Sequence, residues 1–282
     1  MNHFEVIKSD QELLNHNKRM EKTIDDLGFK LADLSESVNF DSEKRDRGLN
    51  IDSPEYFNDS FYKHGFKIIQ PMSVVDGNIK TLFAVSGVQV LDPIIHDNAE
   101  IIDNKIFIAQ PVIRTQFLPQ VQEGSLTSFI NLTANNINGS YEDHVASING
   151  WITILTDLGF SKEKFSVKIS HNKNLWGKKE FENEFIGIYY NGIEIGEASY
   201  IEKMPQDDRP PISISDVGFG MERMNFSLCG KTLNDYYDKE LPIKVIDGSR
   251  TLTLLVGSGV KPGNNGREYR VRLFSKNFVR EN

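Results

Sequence analysis

Two hydrophobic periods run along the chain, and their order predicts its architecture. Near the start, Leu13, Asn17, Met20, Ile24, Leu27, Leu31 and Leu34 recur at alternating three- and four-residue steps. That is a helical seam of about three heptads, interrupted by the polar Asn17 and weakened by Gly28. Ser9 followed by Glu12 reads as a capping box at the helix start. Such a seam packs either on its own domain or on a second copy, as a dimerising helix. Residues 41–53, DSEKRDRGLNIDS, are charged and turn-rich and read as a linker.

Beyond the linker the pattern becomes mixed. SFYKHGFKIIQP predicts a helix end leading into a strand that stops at Pro71. IFIAQPVI (106–113) and LTSFINLT (126–133) read as strands joined by a polar loop. In 144–160, Val145, Ile148, Ile152, Leu155 and Leu158 share a helix face, with Gly159 as the stop. FIGIYY and IEIGEASYI flank Asn191-Gly192, a type I′ hairpin signal. ISISDV (212–217) is a further alternating strand that runs directly into GFGMERM. Hairpin-joined strands with helices between them predict an α+β fold with an antiparallel sheet rather than a doubly wound parallel one.

Composition narrows the class. Of 282 residues, 39% are hydrophobic and 26% charged, which suits a globular domain and is too apolar for disorder. The formal charge of −8 argues against a generally basic nucleic-acid coat. Cys229 is the single cysteine, so internal disulfides and cysteine-built metal centres are excluded. The six histidines (His3, His16, His64, His96, His144, His171) show no ligand spacing, and no zinc site is expected. No apolar run reaches the roughly 20 residues that span a bilayer, and the first residues do not read as a signal peptide, so a cytoplasmic address is expected.

Three local features carry candidate chemistry. Gly218 and Gly220 stand where a strand gives way to a helix, with Arg223 in its first turn. The glycines allow close backbone approach, and the free amides and guanidinium suit a phosphate; the plainer alternative is a tight turn with a surface arginine. Arg114 ends an apolar strand and is either paired to an internal acid or reserved for an anionic ligand. Asp216, two residues before Gly218, either caps the following helix or binds an ammonium.

The arrangement of these features resembles the catalytic core of alanyl-tRNA synthetases, within the class II aminoacyl-tRNA synthetases. ISISDVGFGMERM is similar to the third motif of that class, with Asp216, Gly218, Gly220, Glu222 and Arg223 in place. AQPVIRTQF resembles the first strand of the second motif, with Arg114 on its arginine, and FINLTANNINGSY resembles the return strand through Phe129, Leu132, Asn135, Gly139 and Tyr141. TLFAVSGVQ is similar to the segment after the family's first helix and strand, and NLW places Trp176 on its pocket tryptophan. DGSRTLTLLVGSGVKPGNNGREYRVRLFSKNFVR resembles the start of the alanyl tRNA-recognition region through Asp247, Arg250, Gly259, Val260, Pro262, Asn264, Arg267, Tyr269, Arg272 and Arg280.

This resemblance implies a class II synthetase-like antiparallel sheet flanked by helices, with a short helical C-terminal appendage. The division it implies is an N-terminal extension (1–50), a catalytic core (51–235) and a truncated tRNA-recognition-like segment (236–282). It implies ATP and Mg2+ as cofactors and activation of a small, alanine-like amino acid, with transfer to tRNA or another acceptor. Arg114 would bridge the amino-acid carboxylate and the α-phosphate, and Arg223 the γ-phosphate. Phe129 would face adenine, Gly218 and Gly220 would border ATP, Asp216 would take the ammonium, and Trp176 would wall the side-chain pocket.

Departures from the family open rival readings. Its motif-two glutamate is Asn131 here, and its asparagine near the amine is Glu197. KKEFENEF replaces the cysteine-rich segment after the tryptophan, and an editing domain is expected to be missing. The rivals are activation for a carrier protein or an amine, and a non-catalytic paralogue acting as a sensor or scaffold. Arg267, Arg270, Arg272, Lys276 and Arg280 form a local basic excess that suits either RNA phosphate or a solvated helix face.

Overall fold

The computed structural model describes residues 10–31, 53–122, 125–237 and 239–281. Its elements in chain order are α1 (Asp10–Leu27), β1 (Lys30–Leu31), α2 (Glu55–Lys63), β2 (Lys67–Ile68), α3 (Asp92–His96), β3 (Lys105–Ile113), β4 (Ser128–Ile137) and α4 (Tyr141–Asp157). There follow β5 (Phe165–Trp176), β6 (Lys179–Tyr190), β7 (Ile193–Met204), β8 (Ile212–Gly220), α5 (Met221–Cys229), α6 (Leu233–Tyr236), α7 (Ile243–Gly257) and α8 (Gly266–Glu281).

Eight strands make one sheet in the order β1-β5-β6-β7-β8-β4-β3-β2. All pairings from β3 to β8 are antiparallel, and the two-residue edge strands β1 and β2 run parallel to β5 and β3. The α+β class, the antiparallel sheet flanked by helices and the helical appendage (α7 and α8) are therefore as expected. The Asn191-Gly192 turn is also as expected, both residues having positive φ of 49° and 75°. β4 continues past the expected end at Thr133 to Ile137, because its far half is hydrogen-bonded between β3 and β8. Tertiary pairing there overrides the weak strand preference of two asparagines.

The largest hydrophobic cluster lies on one sheet face, and a smaller one, around Leu91, Ile95, Ile106, Ile137 and Ile214, lies on the other. Trp151 of α4 is the centre of the larger, packed among Phe57, Phe61, Phe107 and Phe219, with Nε1 donating to the Val217 carbonyl at 3.0 Å. Ile148, Ile152, Leu155 and Leu158 are buried as the periodicity expects, while Val145 is half-buried.

α1 packs on this same core, the first of the two alternatives that the seam offers. Met20, Ile24 and Leu27 are buried within the chain, and nothing among the described residues supports the dimer alternative. Arg19 reinforces the docking by pairing with Glu184 and Glu202, its guanidinium 4.2 Å from the Tyr141 ring centroid. The helix stops at Leu27 because Gly28 takes φ 71°, and Leu31 is exposed on β1. The expected linker, over 41–52, lies outside the described residues, as do Ser9, Leu34 and the side chain of Leu13.

Two predictions follow from this packing. His144 is buried, hydrogen-bonded to Ser215 Oγ at 2.7 Å, and burial lowers its pKa to about 3. The unfolded chain therefore binds a proton that the folded one refuses, so stability falls as pH drops from the ordinary 6.5 towards 3. This residue contributes a slope of about 1.4 kcal/mol per pH unit, and a His144→Phe variant should lack it in denaturant titrations from pH 6 down to about 4. The second concerns Gly196, where a Cβ would stand 2.4 Å from Phe219 Cδ1 and 2.6 Å from the Gly218 carbonyl. Gly196→Ala should cost about 2 kcal/mol through overpacking, read as a lowered thermal midpoint.

Candidate active site

The sheet face opposite the core carries the expected chemistry. Alternation places Phe129, Asn131, Thr133 and Asn135 of β4 on that face, opposite Gly220, Gly218 and Asp216 of β8. Arg114 directly follows β3, its backbone N–H donating to the Thr127 carbonyl at 2.8 Å and its Nε to the Val85 carbonyl at 2.9 Å. Arg223 stands in the first turn of α5.

The two arginines meet at one ring. The Arg114 guanidinium carbon is 5.1 Å from the Phe129 centroid, and that of Arg223 is 5.7 Å from the same centroid and 5.6 Å from Phe117. Both line a single pocket with Phe129, Asn131, Glu194, Glu197, Gly218 and Gly220. Among the described residues neither arginine forms an ion pair, and Arg223 Nε is buried without a hydrogen-bond partner. Burial lowers the Arg223 pKa, partly offset by Glu194. Arg223 Nη1 donates to the Glu194 carbonyl at 3.5 Å, so the desolvated guanidinium is only partly compensated, a state that an anionic ligand relieves.

Two struts hold these strands. Glu222 of α5 accepts the Ile130 N–H at 3.0 Å and pairs with Arg250 of α7, which also donates to the Ser128 carbonyl at 3.3 Å. Asp247 of α7, fully buried, accepts from the N–H groups of Thr127 and Ser128 and from the Thr127 hydroxyl. The start of β4, between Arg114 and Phe129, is thereby fastened to the C-terminal helices.

Glu194 and Glu197 give the pocket an acidic side, whereas Asp216, next along the same face of β8 from Gly218, adjoins the pocket without lining it. Asp216 is 7% exposed, its Oδ1 lacks a partner, and its pKa is raised well above the ordinary value by burial and then by the nearby Glu197. Glu194, which the sequence reading did not select, also lines the pocket. Burial raises its pKa, with Arg223 opposing. A register shift at Ile188/Tyr189 brings it to the pocket beside Glu197, out of the alternation that would have flagged it.

Other expected site residues lie elsewhere or are already engaged. Asn131 Oδ1 accepts from Gly87 N–H at 2.7 Å, Thr133 Oγ1 at 2.9 Å and Ser86 Oγ at 3.2 Å, so this amide ties the Ser86–Gly87 turn to β4. Trp176 is not among the pocket residues; its Nε1 donates to the buried Asp92 carboxylate at 2.6 Å, within a separate cluster around Leu91 and Phe181. Arg267 donates to the carbonyls of Leu82, Val75 and Thr81, which fixes α8 against that segment. Arg272 is bonded to Asn264, Arg270 is half-buried and Lys276 is exposed, while the Arg280 side chain lies outside the described residues. His16 and His171, distant in sequence, stack at 4.7 Å beside Glu184 and Glu182. Among the described residues no group of three or more His, Cys, Asp or Glu is set to hold a metal ion, and no helix is long and apolar enough to cross a membrane.

No family model matches this chain. No curated protein matches it either. Among solved structures, a pyrrolysyl-tRNA synthetase of Desulfitobacterium hafniense overlaps 77% of this chain and 73% of its own, at 11% identity and a TM-score of 0.41. A second structure of pyrrolysyl-tRNA synthetase from the same organism overlaps 77% and 76%, at 10% identity and a TM-score of 0.40. At these scores the overlap assigns neither a residue nor an activity to this chain.

The isolated carboxylate of Asp216 yields a test with a definite sign. Because its folded pKa lies above the ordinary 3.8, ionisation penalises the folded state increasingly as pH rises above that value. An Asp216→Asn variant should therefore gain stability over the unsubstituted protein from pH 4 upwards, and the gain should vanish below about pH 3.5. Urea titrations at several pH values measure it.

Proposed function

We propose that the chain is an ATP-dependent amino-acid-activating enzyme of the class II synthetase kind. It forms an aminoacyl-adenylate from a small amino acid and passes the acyl group to tRNA or another acceptor. The observation that carries this reading is the convergence of Arg114 and Arg223 on Phe129, in one pocket and without ion pairs among the described residues.

In this reading the amino-acid carboxylate attacks the α-phosphorus of ATP, a new C–O–P bond forms, the bond to the β-phosphate breaks and pyrophosphate leaves. Two anions must meet for that to happen. Arg114, fixed through Nε to the Val85 carbonyl, supplies the cation between them, and a preorganised charge in a dry site lowers the barrier without reorganisation. Arg223 takes the far end of the bent triphosphate, and Phe129 offers its ring to the base. Asp216, with Glu197 beside it, receives the ammonium, whose charge restores the carboxylate to its ionised form. Glu194 and Glu197 are oxygen donors of the kind Mg2+ accepts, and the ion would neutralise charge on the departing pyrophosphate. No protein nucleophile is required.

A second acceptor is favoured by one observation. Arg267 is bonded to three backbone carbonyls, which removes it from a phosphate-binding face. Transfer to a carrier protein or amine in place of tRNA is consistent with that.

ATP–pyrophosphate exchange over a panel of amino acids tests the reading. Exchange should appear with a small amino acid and fall by roughly two to three orders of magnitude in Arg114→Ala and in Arg223→Ala. Exchange absent with every amino acid, while ATP still binds, overturns catalysis and leaves a sensor. Ribonuclease-sensitive label after incubation with total tRNA identifies tRNA as acceptor, and its absence alongside strong exchange identifies another.

A further inference from the structure

Where β8 gives way to α5, strand β4 loses a neighbour. The pairing of β4 with β8 ends at Asn131, opposite Gly220, so Ser128, Phe129 and Ile130 extend beyond it. Side chains continue the ladder there. Arg250 of α7 donates through Nη1 to the Ser128 carbonyl at 3.3 Å and through Nη2 to Glu222 Oε1, while Glu222 Oε2 accepts the Ile130 N–H at 3.0 Å. One ion pair thus closes a bracket around Phe129, bonded to the residue before the ring and to the residue after it. Glu222 also directly precedes Arg223 in the first turn of α5. The two side chains are 18% and 10% exposed, so water and salt screen the pair little. Arg114 is fastened by other means. Its N–H and Nε donate to the Thr127 and Val85 carbonyls, and Ile113 before it packs in a cluster with Phe83, Leu255 and Phe274.

We propose that Arg250 is a positioning residue for the nucleotide: through Ser128 and Glu222 it fixes the separation of the Phe129 ring from Arg223, so that the base and the far phosphate of ATP are held at once. This deepens the activation reading above and rests on it. Arg250 itself touches no substrate in this role. It acts through a ring and a guanidinium whose carbon stands 5.7 Å from the ring centroid. Groups already held at their working separation need less ordering when ATP arrives. Loosening the bracket therefore weakens the grip on ATP, while the amino-acid end, framed by Arg114 and the acids of β7 and β8, stays in place. A guanidinium is required because its planar fork reaches two acceptors, whereas the single ammonium of a lysine serves one of them well.

Two variants of the full chain test this. Glu222→Gln/Arg250→Gln removes both charges together, so no buried ion is left unpaired, and it keeps an acceptor for the Ile130 N–H. Arg250→Lys keeps the charge and loses the fork. In ATP–pyrophosphate exchange, KM for ATP should rise about tenfold or more in the double variant and by a smaller factor in Arg250→Lys. KM for the amino acid should stay within about twofold of the unsubstituted protein in both. A lowered kcat with KM for ATP unchanged overturns the inference, because the pair is then part of the scaffold alone. An equal rise in both KM values overturns it too, since the bracket then does not single out the nucleotide. Should the double variant fail to fold, Arg250→Lys decides by itself, and an unchanged KM for ATP in it overturns the inference. If the unsubstituted chain binds ATP but exchanges with no amino acid, the activation reading falls, and the Kd for ATP of the same variants, by calorimetry, decides this inference on the same pattern. An unsubstituted chain that does not bind ATP overturns both.

Discussion

The register between β4 and β8 is the constraint on which the site depends. Asn131 opposes Gly220 and Asn135 opposes Asp216, so the strand carrying the aromatic ring and the strand carrying the glycines present their functional positions to one face together. A slip of one residue would turn every one of those side chains into the Trp151 core. The chain secures the register at the end of β4 nearest the arginines, where Glu222 and Asp247 accept its backbone N–H groups from helices on either side. Those carboxylates cannot be exchanged for apolar residues without releasing the N–H groups they hold. The helical appendage is thus part of what defines the pocket.

The pocket brings both signs of charge into one small space. Arg114 and Arg223 share it with Glu194 and Glu197, with no direct ion pair between them among the described residues, and Asp216 adjoins it. Burial pushes the pKa of Arg223 down and those of Asp216 and Glu194 up, so each group bears a penalty in the resting protein. Elsewhere the chain pairs its buried charges closely, as Arg19 with Glu184 and Arg250 with Glu222 do. Among the described residues the pocket lacks such pairing.

Much of this was legible in the sequence, and the failures have physical causes. The Asn191-Gly192 turn, the strand entering α5 and the positions of Arg114 and Arg223 follow from local rules and motif spacing. Glu194 was hidden because a register shift breaks the alternation that would have paired it with Glu197. Trp176 and Arg267 have the right chemistry for ligands, but Asp92 and three backbone carbonyls engage them, and no local pattern announces a partner so far away along the chain. The seam in α1 was visible as a seam; that its partner is the sheet rather than a second helix depends on Glu184 and Tyr141, again distant in sequence.

The short edge strands have a consequence of their own. An exposed sheet margin is a template on which a foreign strand can add and seed aggregation. At the β3 margin, β2 and the segment after it supply backbone bonds, including Ile69 N–H to the Phe107 carbonyl and Ile113 N–H to the Ala84 carbonyl. At the other margin β1 matches β5 over two residues among those described, and β5 carries the exposed lysines Lys168 and Lys173. Their charge opposes the addition of a foreign strand along this twelve-residue strand.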